Sequence, residues 1–371
     1  MKYYLIAGEA SGDLHGSNLM KALKNEDPQA EFQFWGGDLM QAVGGTLVKH
    51  YKERSFMGFA EVILNLNTIR KDFKRCKNDI KQYQPDVIIF IDNSGFNLRI
   101  AKWAKQAGFK THYYISPQVW ASRAGRVKAI KRDIDAMYVI LPFVKTFYEA
   151  HQYPVHFVGH PLIDAISNRH AIKASEFKNK YGLQNKPIIA LLPGSRKQEI
   201  AKMLSVMLTL VPKYPNYQFV IAGAPSQDFS FYQSFIKAAN IHFISNKTYD
   251  ILSVATAALV TSGTATLEAA LFKVPQVVCY KGSWLSYQIG KRLITHINFI
   301  SLVNLVMDKA VVTELIQDDF TAENLKTELD AILNNNNRVQ MLEAYNELEK
   351  KLGGTGASAK TAKLIYKALN S

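Results

Sequence analysis

The residues best suited to bind an anion follow an apolar segment, IIALL, at 188–192. This segment ends in Pro193, Gly194, Ser195 and Arg196, and a charged, helix-favouring stretch begins directly behind them. A helix N-terminus presents free backbone N–H groups, a glycine allows close approach, and a guanidinium pairs with phosphate oxygens. An ordinary strand-to-helix turn explains the same residues equally well. Taken alone, the segment is a candidate anion site and no more.

A second group of small polar residues lies in the segment TSGTATLEAAL, which also follows an apolar run. The hydroxyl and N–H groups of Ser262, Gly263 and Thr264 suit phosphate oxygens. Glu268, about one turn into the following helix, can accept hydrogen bonds from a ribose diol. An ordinary N-cap made by a threonine is the simpler alternative. Together with Arg196, this segment offers a phosphate end and a sugar end for one nucleotide.

Two acidic candidates lie in the first half of the chain. Asp92 ends the apolar segment DVIIFID and can serve as a general base if it faces a substrate, or it can simply form a turn before Asn93. Asp13 lies in GEASGDLHG, whose glycines do not have the GxGxxG spacing of dinucleotide-binding proteins. That spacing argues against a nicotinamide dehydrogenase. The Asp13 carboxylate would stabilise the N-terminus of the following helix whether or not a ligand binds there.

Short apolar segments alternate with helical patterns along the whole chain, which predicts parallel sheets covered on both faces. The predicted strands are 3–8, 31–36, 86–92, 110–116, 136–141 and 155–159, then 188–194, 217–223, 241–245, 257–263 and 275–280. The polar segment 164–187 separates the two halves, and 321–335 and 336–370 have helical patterns. Since parallel strands end at one edge of a sheet, the candidate residues of each half are expected there. The predicted fold class is α/β, with two doubly wound, Rossmann-like domains facing across a cleft.

The composition is typical of a folded protein without membrane-spanning segments. Of 371 residues, 48% are hydrophobic and 20% are charged, and no apolar run is long enough to cross a bilayer. The N-terminal apolar run is only a few residues long, which predicts a first core strand and not a signal peptide. Cys76 and Cys279 lie far apart without metal-binding spacing. A reduced, cytoplasmic, metal-free protein is therefore expected.

The net charge of +14 favours anionic partners such as nucleic acid, phospholipid or phosphorylated substrates. From Arg99 to Arg132 the chain carries basic residues and no Asp or Glu. An apolar stripe at helical spacing precedes this region and consists of Phe59, Val62, Ile63, Leu66, Ile69 and Phe73, with several basic residues behind it. Such a stripe packs into a core or lies in a membrane interface. The sequence leaves both explanations open.

Six segments, taken in order, resemble the lipid-A-disaccharide synthase family of inverting glycosyltransferases with the GT-B architecture. They are GEASGD, SPQVWA, FVGHPL, LLPGSRKQEI, SGTATLEAAL and FISLVNL. The resemblance implies transfer of 2,3-diacylglucosamine from UDP-2,3-diacylglucosamine to 2,3-diacylglucosamine 1-phosphate. The products would be UDP and a β-1,6-linked, tetra-acylated disaccharide 1-phosphate. It also implies a peripheral enzyme on the cytoplasmic face of a Gram-negative inner membrane, with the anionic membrane surface as a partner and a homodimer left open.

The resemblance assigns roles to individual positions. It implies that Asp92 is the general base and that Arg196 stabilises the leaving UDP. The further substrate-binding residues would be Gly8, Glu9, Ser11, Gly12, Asp13, Ser116, Gln118, Gly194, Ser195, Ser262, Gly263, Thr264, Ala265, Glu268 and Asn304. The chain has no DxD motif, so we expect a metal-free reaction without a cofactor.

The predicted domains follow the same resemblance. Residues 1–165, joined by the C-terminal helices at 340–371, would face the acceptor and the membrane, and residues 166–339 would bind the UDP-sugar. Three positions depart from the family pattern, which often has an acid, a second tryptophan and a glutamate where this chain has Gly95, Ser122 and Val144. These three positions receive no family role.

Two alternatives remain at the level of sequence. Another UDP-sugar enzyme, such as a UDP-N-acetylglucosamine 2-epimerase or an N-acetylglucosaminyl transferase, would share the arginine and glutamate contacts to the nucleotide, but not the SPQVWA and GEASGD loops. A basic nucleic-acid-binding protein is the alternative from a different class. Against it, the lysines are not interleaved with an aromatic recognition motif, so no nucleic-acid partner is expected.

Overall fold

The computed structural model describes residues 1–54, 66–122, 124–167, 169, 172–224, 227–282 and 298–370. The chain divides into two compact units. Unit 1 comprises Met1–Asp164 and Leu352–Ser371, and unit 2 comprises Ala165–Lys351. Within the described ranges, no helix is both long enough and apolar enough to cross a membrane.

Unit 1 is built on a seven-stranded sheet. Its strands are β1 (Lys2–Ala7), β2 (Glu31–Gly36), β3 (Thr46–His50), β4 (Val87–Ile91), β5 (Thr111–Tyr114), β6 (Ala136–Val139) and β7 (His156–Phe157). They lie in the order β3-β2-β1-β4-β5-β6-β7, and all neighbours are parallel. The helices are Ala10–Glu26, Asp38–Val43, Leu66–Tyr83, Ser94–Gln106, Val119–Ser122, Val127–Asp133, Pro142–Ala150, Pro161–Ser167 and Ala357–Asn370, with 3-10 turns at Tyr51–Arg54 and Ala124–Arg126.

The core of unit 1 explains why its strands are so apolar. Leu5 in β1 pairs with Phe34 in β2 and Ile89 in β4, and all three side chains are fully buried. Helices cover both faces of such a sheet, so inward and outward positions alike are shielded from water. The same buried cluster as these three side chains contains Leu19, from the helix Ala10–Glu26, and Ile365, from the helix Ala357–Asn370.

Unit 2 repeats the plan with six parallel strands. They are β8 (Ile188–Leu192), β9 (Gln218–Gly223), β10 (Ile241–Ser245), β11 (Ala257–Thr261), β12 (Gln276–Tyr280) and β13 (Glu314–Ile316). Their order is β10-β9-β8-β11-β12-β13. The helices are Ala174–Lys180, Lys197–Met207, Phe229–Gln233, Thr248–Val254, Thr264–Leu271, Leu302–Met307, Ala322–Leu333 and Asn335–Lys351, with 3-10 turns at Leu208–Lys213 and Gln317–Asp319.

The chain returns to unit 1 at Leu352. The helix Asn335–Lys351 belongs to unit 2 because it packs there: the buried Tyr345 hydroxyl accepts a hydrogen bond from Gln276 Nε2 at 3.2 Å. In unit 1, Asp164 then holds the returning segment by accepting hydrogen bonds from two of its backbone N–H groups, at 2.6 and 3.2 Å.

The α/β prediction with two parallel sheets is confirmed, and two strands were not predicted. Thr46–His50 lies at the edge of its sheet, and its Lys49 is buried against Asp72, so the segment lacks an apolar pattern. Glu314–Ile316 is only three residues long. Strands this short or this polar carry too little periodicity to be recognised.

The apolar stripe predicted for 55–80 is only partly covered by the structure. Phe59, Val62 and Ile63 lie outside the described residues, as does the side chain of Leu66. Phe73 is half-buried in the helix Leu66–Tyr83 and stacks on Phe96 with 4.6 Å between ring centroids. Core packing therefore accounts for that end of the stripe.

Candidate active site

Asp92 follows β4 directly and adopts a left-handed backbone conformation, with φ of 46°. Asn93 continues the same conformation, with φ of 44°, and the helix Ser94–Gln106 begins behind it. The Asp92 side chain is half-buried. Burial raises its pKa to about 6, the nearby carboxylate of Glu9 adds to the rise, and a hydrogen bond from the Asn93 backbone opposes it. A carboxyl group with this pKa is ionised at neutral pH and still basic enough to accept a proton.

The loop after β1 lies beside this turn. A Cβ atom at Gly8 would come within 2.0 Å of the Asn93 side chain, so only glycine allows β1 to end this close to Asn93. Glu9 and Ser11 are exposed, and Gly12 is buried at the start of the helix Ala10–Glu26. The structure therefore places Gly8 and Glu9 beside the Asp92 turn.

Asp13 is used inside the fold. It is 3% exposed, and its Oδ1 accepts hydrogen bonds from the backbone N–H groups of Gly37 and Met40 at 2.8 and 3.0 Å. Its Oδ2 accepts one from Leu39 N at 3.0 Å. These N–H groups lie at the start of the helix Asp38–Val43, whose unpaired donors need acceptors. Asp13 thus caps that helix, and this use of the carboxylate explains the residue without a direct ligand contact.

Ser116 and Gln118 follow β5, the neighbour of β4 in the sheet. Ser116 is half-buried and Gln118 is exposed. Ile115, just before them, has φ of 62°, which is unusual for a β-branched residue. Strained backbone conformations thus follow two adjacent strands at one edge of the sheet, a pattern that is typical of functional sites.

In unit 2, Gly194 adopts a φ of 103° directly after β8 and Pro193. Ser195 donates its backbone N–H to Glu199 Oε2 at 3.2 Å. Arg196 is exposed and precedes the helix Lys197–Met207 as its N-cap. A carboxylate oxygen of this chain therefore lies at the helix N-terminus where an anion is expected to bind.

The segment after β11 contributes the second predicted group. Gly263 has φ of 142° and is exposed together with Thr264, while Ala265 is half-buried. The Ser262 hydroxyl donates to the carbonyl oxygen of Ile300 at 2.9 Å. The helix Thr264–Leu271 begins at this point and presents its N-terminus at the same edge of the sheet.

Glu268 lies in that helix and accepts a hydrogen bond from the Tyr249 hydroxyl at 3.3 Å. Burial raises the pKa of Glu268 to about 7, against the lowering effect of that hydrogen bond. Because β8 and β11 are paired neighbours, with Val260 opposite Leu192, the Arg196 and Ser262 segments leave the sheet side by side. The predicted nucleotide contacts of unit 2 are therefore grouped at one edge.

Asn304 is buried and its side-chain amide is fully engaged. Its Oδ1 accepts hydrogen bonds from Val311 N at 2.8 Å and Val312 N at 3.0 Å. Its Nδ2 donates to Val312 O and Glu314 Oε1 at 2.8 and 2.9 Å. Glu314 in turn accepts from the backbone of Ile300, whose carbonyl the Ser262 hydroxyl contacts. Asn304 therefore supports the segment beside Ser262.

Several residues that shape these edges were not predicted from the sequence. Tyr113 and Asn97 donate hydrogen bonds to the Asp92 carbonyl, and Tyr249 orients Glu268. Asn97 falls on the first turn of a helix directly after Asp92, a spacing that suits a bond back to the turn. The two tyrosines lie far from their partners in sequence, and no local pattern marks them. Of the divergent positions, Gly95 is exposed and Val144 is a buried core residue.

Comparison with solved structures identifies the fold. UDP-N-acetylglucosamine 2-epimerase from Neisseria meningitidis, solved with UDP-N-acetylglucosamine, superposes with a TM-score of 0.68 over all of both chains. Only 13% of the aligned residues are identical. At this identity the likeness shows a shared fold alone. It agrees with the predicted α/β fold class.

Comparison of the sequence with curated proteins finds relatives of much higher identity. Lipid-A-disaccharide synthase of Geobacter metallireducens is 40% identical to this chain, over 98% of the chain and 96% of that protein. The synthase of Coxiella burnetii (strain CbuG_Q212) is 37% identical, over 99% of the chain and 98% of that protein. The model of the lipid-A-disaccharide synthetase family matches residues 3–368. With both sheets and both groups of loop residues inside the matched range, the chain belongs to the lipid-A-disaccharide synthase family.

Proposed function

We propose that this chain transfers 2,3-diacylglucosamine from UDP-2,3-diacylglucosamine to 2,3-diacylglucosamine 1-phosphate with inversion at the anomeric carbon. The observation that supports it most directly is the family match along nearly the whole chain, since the relatives are named for a glycosyltransferase reaction. This match favours the synthase over the epimerase, the N-acetylglucosaminyl transferase and the nucleic-acid-binding protein. The epimerase-like fold does not weigh against it, because one fold serves many activities.

Asp92 is the base in the proposed mechanism. Its carboxylate takes the proton from the 6-hydroxyl of the acceptor while that oxygen attacks the anomeric carbon of the donor. The bond from the anomeric carbon to the UDP oxygen breaks, and the electron pair leaves with UDP. Attack from the opposite face gives the β-1,6 linkage. The raised pKa of Asp92, about 6, suits a base that operates near neutral pH.

Unit 2 supplies the proposed site for UDP. Arg196 and the N–H groups of the 194–196 segment stabilise the negative charge on the leaving diphosphate, with the 262–265 segment beside them. Glu268 accepts hydrogen bonds from the ribose hydroxyls. Neither role requires a metal ion or a cofactor. Asn304 acts indirectly, through the backbone that contacts Ser262.

Unit 1 supplies the proposed acceptor site. The loop residues Gly8 and Glu9 and the start of the following helix, with Ser11 and Gly12, face the acceptor sugar. Ser116 and Gln118 extend the same edge. Asp13 holds the neighbouring helix in place.

A bilayer surface is the proposed location, because both substrates carry acyl chains. The net charge of +14 and the exposed basic residues of the helix Leu66–Tyr83 suit anionic lipid headgroups. We expect the protein to sediment with vesicles that contain anionic lipid and to be released as salt increases from 50 to about 500 mM, because such attractions are screened. Equal binding to purely zwitterionic vesicles would contradict an electrostatic attachment.

Direct assay of the reaction tests the proposal. The purified full-length chain is incubated with UDP-2,3-diacylglucosamine and 2,3-diacylglucosamine 1-phosphate, and the products are identified by mass spectrometry. We expect UDP and a tetra-acylated disaccharide 1-phosphate in equal amounts. UDP-N-acetylglucosamine serves as the control donor, since the epimerase alternative would act on it. Epimerisation of that control without disaccharide formation would overturn the proposal.

A further inference from the structure

The backbone at Asp92 is held in an unfavourable conformation by two buried side chains. Asp92 and Asn93 both have left-handed φ values, 46° and 44°. Residues other than glycine adopt this region uncommonly, although Asp and Asn enter it more readily than most, and such conformations persist where the surroundings enforce them. The contacts around the turn should therefore show what enforces it.

The enforcing contacts converge on one atom, the carbonyl oxygen of Asp92. The Tyr113 hydroxyl donates to it from the adjacent strand β5, and Asn97 Nδ2 donates to it at 2.8 Å from the following helix. Both donor side chains are fully buried. Asn97 Nδ2 also lies 3.2 Å from Ile91 O and 3.3 Å from Ile6 O, which ties the turn to the ends of β4 and β1.

This carbonyl belongs to the peptide that joins Asp92 to Asn93. Fixing its direction fixes ψ of Asp92 and φ of Asn93, and so the direction in which the Asp92 side chain leaves the sheet. Burial and the neighbouring Asp92 raise the pKa of Tyr113, so its hydroxyl keeps the proton that it donates. Gly8 completes the arrangement by leaving room for the Asn93 side chain.

We propose that Tyr113 and Asn97 are positioning residues that hold the Asp92 carboxylate in its reactive direction by fixing the Asp92 carbonyl. The inference rests on the proposed role of Asp92 as the base. Without the two donors, the turn relaxes toward ordinary backbone angles and the carboxylate moves away from the acceptor hydroxyl. Displacements of about 1 Å from a reactive geometry cost on the order of 100-fold in rate.

Tyr113→Phe is the variant that tests it, because it removes one hydroxyl and leaves the ring that packs in the core. Tyr114→Phe is the matched control: Tyr114 is the next residue of β5, it is also fully buried, and its hydroxyl interacts with Ser358 and Thr361 of the last helix and not with the Asp92 carbonyl. Four quantities are measured for each full-length variant: kcat, KM for the acceptor, the affinity for UDP, and the unfolding midpoint in urea.

We expect Tyr113→Phe to lower kcat at least 10-fold while UDP affinity and the acceptor KM stay within about 2-fold of wild type. The acid limb of the kcat/KM profile should also move from about pH 6 toward lower pH, since the displaced carboxylate is less buried and farther from Glu9. If Tyr113 had only a structural role, Tyr113→Phe would instead lower the unfolding midpoint and the UDP affinity, and the acid limb would stay in place.

A double-mutant cycle with Asp92→Asn gives the decisive readout. If Tyr113 acts through the carboxylate, adding Tyr113→Phe to Asp92→Asn changes kcat by less than about 2-fold, because coupled residues are not additive. Additive losses, or a Tyr113→Phe kcat equal to that of Tyr114→Phe, would overturn the positioning role. An Asp92→Asn variant with near-wild-type kcat would instead overturn the base assignment itself, so the two failures are distinguishable.

Discussion

A single carboxyl group carries the proton transfer in the proposed reaction, and its surroundings decide whether it can do so. Asp92 is half-buried beside Glu9, and both effects favour the protonated form. As the pH falls through about 6, Asp92 binds a proton and stops being a base. Activity should therefore fall on the acid side of about pH 6.

Asp92→Asn tests this directly. We expect kcat to fall by about 100- to 10,000-fold, the usual contribution of general acid–base catalysis. The affinity for UDP should not change, because the nucleotide contacts proposed here lie in the other unit. Turnover is measured from pH 5 to 9, and UDP affinity by calorimetry. Wild-type turnover in Asp92→Asn would remove this residue from the mechanism.

Glu268→Gln tests the proposed ribose contact in the same way. The substitution keeps the shape of the side chain and removes its charge, so we expect UDP to bind roughly 10- to 100-fold more weakly, the range for hydrogen bonds to charged groups. A UDP analogue without the two ribose hydroxyls should bind both proteins equally. Glu323→Gln, on the helix Ala322–Leu333, is the control. A similar loss of affinity for both nucleotides would show that Glu268 does not contact the ribose.

At the scale of single residues, the sequence indicates candidate groups for the chemistry but not the side chains that support them. Arg196, Glu268 and Asp92 could be found because each follows an apolar strand, where ligands of α/β proteins bind. Tyr113 and Tyr249 could not, since their hydroxyls reach across the fold to partners 21 and 19 residues away. Nothing in the local pattern distinguishes them from other core tyrosines.

Between elements, one carboxylate joins the helix after β1 to the helix after β2. Asp13 accepts three backbone hydrogen bonds from residues 37–40, and it is almost completely buried. The sequence allowed either a ligand contact or a helix-terminus role for this residue, and only the long-range contacts show which helix it caps. Tertiary partners of this kind cannot be found from spacing along the chain.

Asp13→Ala should therefore destabilise the first unit by about 2–3 kcal/mol, because it leaves buried N–H groups without acceptors. Hydrogen exchange should speed up at the amides of Gly37, Leu39 and Met40 in particular. Asp38→Ala is the matched control, since that carboxylate begins the same helix but its side chain is 72% exposed; its effect should be much smaller. Equal effects of the two substitutions would contradict the capping role.

For the whole molecule, the sequence predicted two α/β domains and a return of the C-terminal helices to the first one. The helices Asn335–Lys351 and Ala357–Asn370 belong to different units, and what a helix packs against cannot be seen from its own helical pattern. Tyr345 is buried in unit 2 and Ile365 in unit 1. The choice of partner is a tertiary property.

Ile365→Ala should destabilise unit 1 by about 2–5 kcal/mol through the cavity that it leaves. Amide exchange should increase in β1 and β4 while β8 and β11 stay protected, and UDP affinity should not change. Lys367→Ala, an exposed position on the same helix, serves as the control. Increased exchange confined to unit 2 would show that the last helix does not stabilise the first unit.

The return of the last helix also has a consequence for synthesis on the ribosome. Residues up to Asp164 emerge before unit 2, but the helix Ala357–Asn370, which packs in one cluster with Leu19 and Leu23, emerges after it. Translation of the residues between Asp164 and Leu352 takes roughly 10–40 s at ordinary elongation rates. For that time the nascent unit 1 exposes an apolar face, while unit 2 is completed in one continuous stretch. Unit 1 thus begins to be made before unit 2 and completes its fold after it, and chaperones have that interval in which to bind it.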